Sequence, residues 1–283
     1  MTVNNRRPLA PGGIAGARGQ PKGAPMTWNK SLEGKVALIT GGGKGGGIGY
    51  GLSTAFAKEG ADLVITGRST GKLDSAKEEL ERLYGVRVLT VQADGGDEEQ
   101  VAGAIAQVKE TFGRLDILIN NAQASASGVG LVDHTKEDFD KAIYSGLYAV
   151  FFYMKHAYPL LKESQGSVIN FASGAGLFGR PGQSSYAAAK EGIRGLTRVA
   201  ATEWGPDNIN VNVVCPLVMT DKLAAWKEEY PDLYAKTIQG IPMGRFGDPE
   251  TDIGATCVFL ASPGAKYISG ETFTLQGGSG LRP

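Results

Sequence analysis

Residues 35–68, KVALITGGGKGGGIGYGLSTAFAKEGADLVITGR, decide the fold. A β-branched apolar run (35–40) enters a glycine-rich turn, an amphipathic stretch follows, and a second β-branched run (62–66) closes the segment. That succession predicts strand, turn, helix and strand, one βαβ unit of a parallel sheet. Glycines in such a turn let the backbone approach a pyrophosphate and leave the next helix N-terminus pointing at it. A glycine-rich turn alone also suits a flexible surface loop, but the flanking strands and helix favour a dinucleotide.

Outward from this unit the alternation continues. Further strands are predicted at 87–93, 116–120, 167–172, 210–215 and 271–276, and helices at 49–59, 71–84, 97–112, 135–162, 183–204 and 249–261. The expected fold is α/β: a single Rossmann-type doubly wound domain over 26–283, its seven-stranded, mostly parallel sheet covered by helices on both faces. Residues 220–247 read differently, as a long connection rich in aromatics and broken by Pro231 and Pro242. Long insertions on rigid scaffolds are usually lids or binding loops. Residues 1–25 are rich in Pro, Gly and Arg and cannot build a core, so disorder is expected there, with Met26 an ordinary start for such a domain.

Lys plus Arg equals Asp plus Glu at 29 each, which argues against a nucleic-acid or anionic-membrane surface. No apolar run approaches the ~18 residues of a membrane-spanning helix, and the N-terminus lacks the apolar core of a secretory signal. Both cysteines, Cys215 and Cys257, stand in apolar settings. Buried thiols and a cytoplasmic location follow as expectations. His134 and His156 have no other ligand types at metal spacing, and no metal is expected.

Carbonyl and alcohol chemistry is written in SVINFASGAGLFGRPGQSSYAAAKEGIRG, residues 167–195. Tyr186 and Lys190, four apart on a helix, share a face. A phenol near ~10 exchanges protons poorly at neutral pH unless a cation favours its phenolate. Lys190 supplies that cation. Ser173, at the end of a strand, can hydrogen-bond the reacting oxygen as charge develops there. Where a strand ending in an acidic residue would bind the ribose 2′-hydroxyl of NAD, the second strand ends in Gly67-Arg68. A guanidinium grips a 2′-phosphate with two bonds, so NADP is the expected cofactor.

On these residues the chain resembles the short-chain dehydrogenases/reductases, whose turn reads Thr-Gly-xxx-Gly-x-Gly and whose catalytic set is Ser, Tyr-xxx-Lys. The thirteen-residue interval from Ser173 to Tyr186 is the family's own. Two glycine registers compete: Gly41, Gly45 and Gly47 match literally, whereas Gly47-Ile48-Gly49 keeps the usual distance to Glu59-Gly60-Ala61. The second is preferred and places a two-residue insertion around Lys44. The resemblance implies cofactor contacts at Gly41, Lys44, Gly47, Ile48, Gly49, Arg68, Asp94, Asn121, Tyr186, Lys190, Val218 and Thr220, and catalysis by Ser173, Tyr186 and Lys190. It also implies a homo-oligomer, commonly a tetramer through the Tyr186–Lys190 helix. Three positions depart from the family: Gln123 for glycine, Leu217 for glycine, and Gly146 where relatives carry an asparagine. The proton relay from Lys190 must then use a water, Ser145 or a backbone carbonyl.

Aromatics gather where substrate is expected: Tyr144, Tyr148, Phe178, Trp226, Tyr230 and Tyr234. Such surfaces suit a large, flat, apolar molecule, and Ser173, Phe178, Tyr148 and Trp226 are the candidate substrate contacts. Within the family, segments such as NNAQASASG, YSGLYAVFFYM and IPMGRFGDPE resemble bacterial 12α-hydroxysteroid dehydrogenases. That likeness implies bile acids as substrates, with Arg180, Lys222 or Arg245 meeting the side-chain carboxylate. Other ketone or ketoacyl-thioester reductases, and a silent NADP-binding regulator, are the alternatives.

Overall fold

The computed structural model describes residues 28–280. The tail expected to be disordered lies outside them. Strand β1 (Val36–Thr40) leads through the glycine turn to helix α1 (Ile48–Lys58), and β2 (Asp62–Gly67), α2 (Thr70–Tyr84), β3 (Val88–Gln92), α3 (Glu98–Phe112) and β4 (Ile117–Asn120) follow. Next come α4 (Lys136–Ala142), α5 (Ala149–Ser164), β5 (Ser167–Phe171), α6 (Gly174–Phe178), α7 (Ser184–Trp204) and β6 (Asn210–Pro216). The chain closes with α8 (Asp221–Glu229), α9 (Pro231–Gln239), α10 (Ala255–Ala261) and β7 (Thr272–Leu275). Strand order is β3-β2-β1-β4-β5-β6-β7, every neighbouring pair parallel.

Order reverses between β1 and β4, so the carboxyl ends of these strands diverge into the crevice where such sheets bind ligands. The central strands β1, β4 and β5 are buried on both faces, whereas the edge strands β3 and β7 are only partly covered. Ala37 and Ile39 join a core with α1, α2 and α10, while Val36 and Leu38 join a second core with α3, α5 and α7. Residues one apart serve opposite layers, which makes the strands continuous apolar runs.

Three expectations need correction, the first being that the helix predicted over 249–261 is π-helical over Pro249–Gly254 and becomes α-helical only in α10. The helix predicted over 135–162 is interrupted by a π-helical turn, Ile143–Tyr148, between α4 and α5. The connection after Thr220 folds into α8 and α9, and Pro231 opens α9 at a position where its missing N–H has no helical partner to lose.

The glycine turn is built by close approach. An ideal Cβ on Gly49 would lie 2.0 Å from the Gly41 carbonyl oxygen, so α1 touches the end of β1 only because residue 49 has no side chain. Gly41 itself sits at φ +71°. Helix α1 begins at Ile48 behind Gly47, in agreement with the preferred register. The extra residues are tied down: Lys44 N–H donates to the Lys72 carbonyl at 2.8 Å, and Asp221 N–H donates to the Gly46 carbonyl at 2.9 Å. The insertion thus joins α2 to the first turn of α8.

Candidate active site

A cavity of about 510 Å³ opens at the β1/β4 crevice. Its floor is Gly41, Gly43, Gly45, Gly47, Ile48 and Gly49; one end carries Arg68 and Lys72, and the other Asn121, Gln123 and Ser145. Gly47 caps α1 without a side-chain bond, so the helix's first N–H groups are left for another acceptor. Two buried oxygens in this wall, Asn120 Oδ1 and Gln123 Oε1, have no hydrogen-bond partner among the described residues. A cleft with a glycine floor, cations at one end and unpaired acceptors at the other fits a nicotinamide dinucleotide.

The candidate cofactor residues divide by placement. Asp94 lines the cavity, but its Oδ1 accepts from Gly96 N–H at 3.0 Å. Asn121 braces the turn: its N–H donates to Thr40 Oγ1 at 2.9 Å and its Nδ2 to the Thr40 carbonyl at 3.0 Å. Thr220 lines the cavity and caps α8 through Leu223 N–H. Val218 is buried in the core, leaving its main chain, bridged to Gly247, as the part near the site. Lys44 reaches the cavity but pairs with Glu79. Its amine is committed, and the carboxylate is held below its ordinary range by that hydrogen bond first.

Lys72 is the residue that sequence reasoning missed. It stands in the first turn of α2, with Nζ 3.4 Å from where a Gly45 Cβ would be. Among the described residues neither Arg68 nor Lys72 takes part in an ion pair. A basic residue in the first helical turn after the end of β2 was the available signal.

Ser173, Tyr186 and Lys190 come together at the carboxyl ends of β5 and β6. Ser173 caps α6, accepting from Ala175 N–H at 3.1 Å. Tyr186 hydrogen-bonds Ser173; burial raises its pKa, and that bond opposes the rise. Lys190, 4% exposed, donates from Nζ to the Phe171 carbonyl at 2.6 Å and lies 5.5 Å from the Tyr186 ring centre. Burial pushes the amine down to about 7. Desolvation is the first cause of both shifts in the protein alone.

The sign of the resulting stability effect is definite. Lys190 titrates near 7 when folded and near 10.4 when unfolded, so the unfolded chain binds the extra proton between those values. Folding stability therefore rises with pH across roughly 7 to 10, by up to about 1.4 kcal/mol per unit. Chemical denaturation of the cofactor-free protein and of Lys190→Met should show this slope in the parent and lose it in the variant.

The aromatic candidates are dispersed. Tyr148 stacks on Tyr144 with ring centres 5.0 Å apart, both substantially exposed; the positions facing the cavity are Ser145, Ala149, Val150 and Tyr153. Phe178 is exposed at the end of α6. Trp226 contacts Tyr230 and Tyr234, which in turn meets Phe246, joining α8 and α9 to the body. Of the three cations considered for a carboxylate, Arg245 is held by Asp252, at 2.9 Å for one of its contacts. His134 sits between Ser184 and Ser185, and His156 meets Glu98. Among the described residues no three His, Cys, Asp or Glu side chains cluster as a metal site would, and no helix is long and apolar enough to cross a membrane.

A doubly wound sheet with a glycine-floored crevice and a Ser, Tyr, Lys group at its carboxyl edge defines a nicotinamide-dependent oxidoreductase, and the chain belongs to the short-chain dehydrogenase/reductase family. A family model described as enoyl-(acyl carrier protein) reductase matches residues 42–279. The 12α-hydroxysteroid dehydrogenase of Clostridium sp. is 65% identical over 256 residues, 89% of this chain and 99% of that protein. The 3-oxoacyl-(acyl-carrier-protein) reductase of Thermotoga maritima is 36% identical over 87% of this chain and 98% of its own. Among solved structures, levodione reductase superposes with a TM-score of 0.81 at 33% identity, covering 88% of this chain and 98% of that one.

Proposed function

We propose that this protein interconverts the 12α-hydroxyl and the 12-ketone of bile acids with NADP(H), as a cytoplasmic homotetramer. The substrate rests on one observation, the 65% identity to the Clostridium enzyme along 99% of that enzyme's length. Chemistry is supported by the meeting of Ser173, Tyr186 and Lys190. Oxidation removes a hydride from carbon and a proton from the attached oxygen; reduction returns both. The nicotinamide, when bound, supplies the hydride acceptor or donor. Tyr186 takes the proton in one direction and gives it back in the other. Ser173 hydrogen-bonds the same oxygen and holds it against the phenol. Lys190 binds ribose hydroxyls, and acceptors brought near its amine favour the charged form that supports a phenolate.

The gap between Arg68 and Lys72, two cations without ion pairs, supports the 2′-phosphate of NADP over the bare hydroxyl of NAD. With Arg245 engaged by Asp252, Arg180 and Lys222 are the cations left for a side-chain carboxylate.

A second reading, a ketoacyl-thioester reductase, has the Thermotoga relative in its favour. Reduced-nicotinamide absorbance separates them. Cholate and deoxycholate should be oxidised and chenodeoxycholate, which lacks the 12α-hydroxyl, should not. Turnover of all three would defeat the position assigned on the steroid; turnover of acetoacetyl thioesters alone would establish the second reading.

A further inference from the structure

Two departures from the family, 23 positions apart, meet in space. An ideal Cβ on Gly146 would lie 2.7 Å from Gln123 Cδ, 2.8 Å from its Nε2 and 2.9 Å from its Oε1. The whole carboxamide therefore occupies the volume that any side chain at 146 would need. Gly146 is buried within the π-helical turn, the kind of widened turn often found at functional sites.

The amide's Nε2 points to the Ala142 carbonyl at 3.5 Å, a contact that only the nitrogen can make. Oε1 is consequently turned the other way, buried and without a partner among the described residues, in the wall of the cofactor cleft. An orphaned buried acceptor costs ~1–3 kcal/mol, so a hydrogen-bond donor belongs there. Ser145, the neighbouring hydroxyl, is already spent on the Ala124 main chain and the Lys141 carbonyl. Asn120 and Asn170 are paired in register on β4 and β5 and hydrogen-bonded at 2.8 Å, and Gln123 and Ser173 each follow three residues later on these neighbouring strand ends.

We propose that Gln123 is a positioning residue of the reaction centre, its carboxamide filling the space over Gly146 and its Oε1 accepting the O–H donor through which Lys190 exchanges protons with solvent. The inference rests on the dehydrogenase reading above. It gives the chain's missing asparagine a replacement from the segment after β4, one that requires glycine at 146.

Three variants test it: Gln123→Met, which keeps the volume and loses the acceptor; Gly146→Asn; and the exchange Gln123→Gly with Gly146→Asn. Tm, reduced-cofactor Kd by fluorescence, and kcat and KM on cholate are measured for each. Gln123→Met should keep Tm, Kd and KM while kcat falls about tenfold, the worth of one hydrogen bond. Gly146→Asn alone should lower Tm, and the exchange should restore both Tm and most of kcat. Parental kcat in Gln123→Met, or a loss shared equally by Tm and KM, would overturn the proposal, as would a folded exchange variant no faster than Gln123→Met. If the parent ignores cholate, the substrate reading fails by itself, and the same ratios are taken with a cyclic ketone.

Discussion

Tyr186→Phe is expected to reduce kcat by about 10³-fold, within the range that positioned acid–base groups contribute, with cofactor Kd and Tm nearly unchanged. The substitution removes one oxygen and leaves the ring. That ring is the part packed beside Lys190, with the amine 5.5 Å from its centre, so the fold around it has little reason to move. What disappears is the only group in this cluster with a proton to exchange that also touches Ser173. Ser173 and the bound cofactor still orient the substrate, which leaves a residual rate and an almost unchanged KM. Steady-state kinetics on cholate, beside cofactor titration, check the split. A variant that loses cofactor affinity in proportion to kcat would instead mark Tyr186 as a structural residue.

The part of the fold that was legible in the sequence is the part covered on both sides. Strands such as Val36–Thr40 serve two cores at once, so their apolar runs are unbroken and their ends fall within a residue of those read from sequence. The π-helical turn was invisible because one extra residue per turn leaves the surrounding helical pattern intact. Helices α8 and α9 were hidden for a different reason: neither buries any residue, and Pro231 reads as a breaker when it is a starter. At the site, Ser173, Tyr186 and Lys190 carried their own local spacing. The Gln123–Gly146 fit has no local signature, since each residue makes sense only against the other. Lys44 shows the converse limit, for its place beside the cavity was legible while its commitment to Glu79, 35 positions away, was not.

Arg68→Asp combined with Lys72→Ala should weaken NADP(H) binding by 10²–10³-fold and leave NAD(H) within about threefold, because each charge-assisted contact to a phosphate is worth ~1.5–3 kcal/mol. Both side chains line the same end of the cavity. Arg68 is fixed at the end of β2, where its carbonyl accepts from Gln92 Nε2 at 3.0 Å, so its guanidinium fork is presented from a rigid strand. Lys72 rises from the first turn of α2 toward Gly45, which adds a point charge beside the fork. A 2′-phosphate placed there meets two cations and a helix N-terminus; a bare 2′-hydroxyl gains little from any of them. The double variant goes further than removal, since the new carboxylate repels a phosphate and can accept hydrogen bonds from ribose hydroxyls. Titrating each cofactor at two ionic strengths gives the decisive comparison. Salt should weaken NADP(H) binding to the parent far more than NAD(H) binding, and that difference should vanish in the variant. Equal weakening of both cofactors would mean that the two cations hold the pyrophosphate or the loop, and NADP preference would lose its basis.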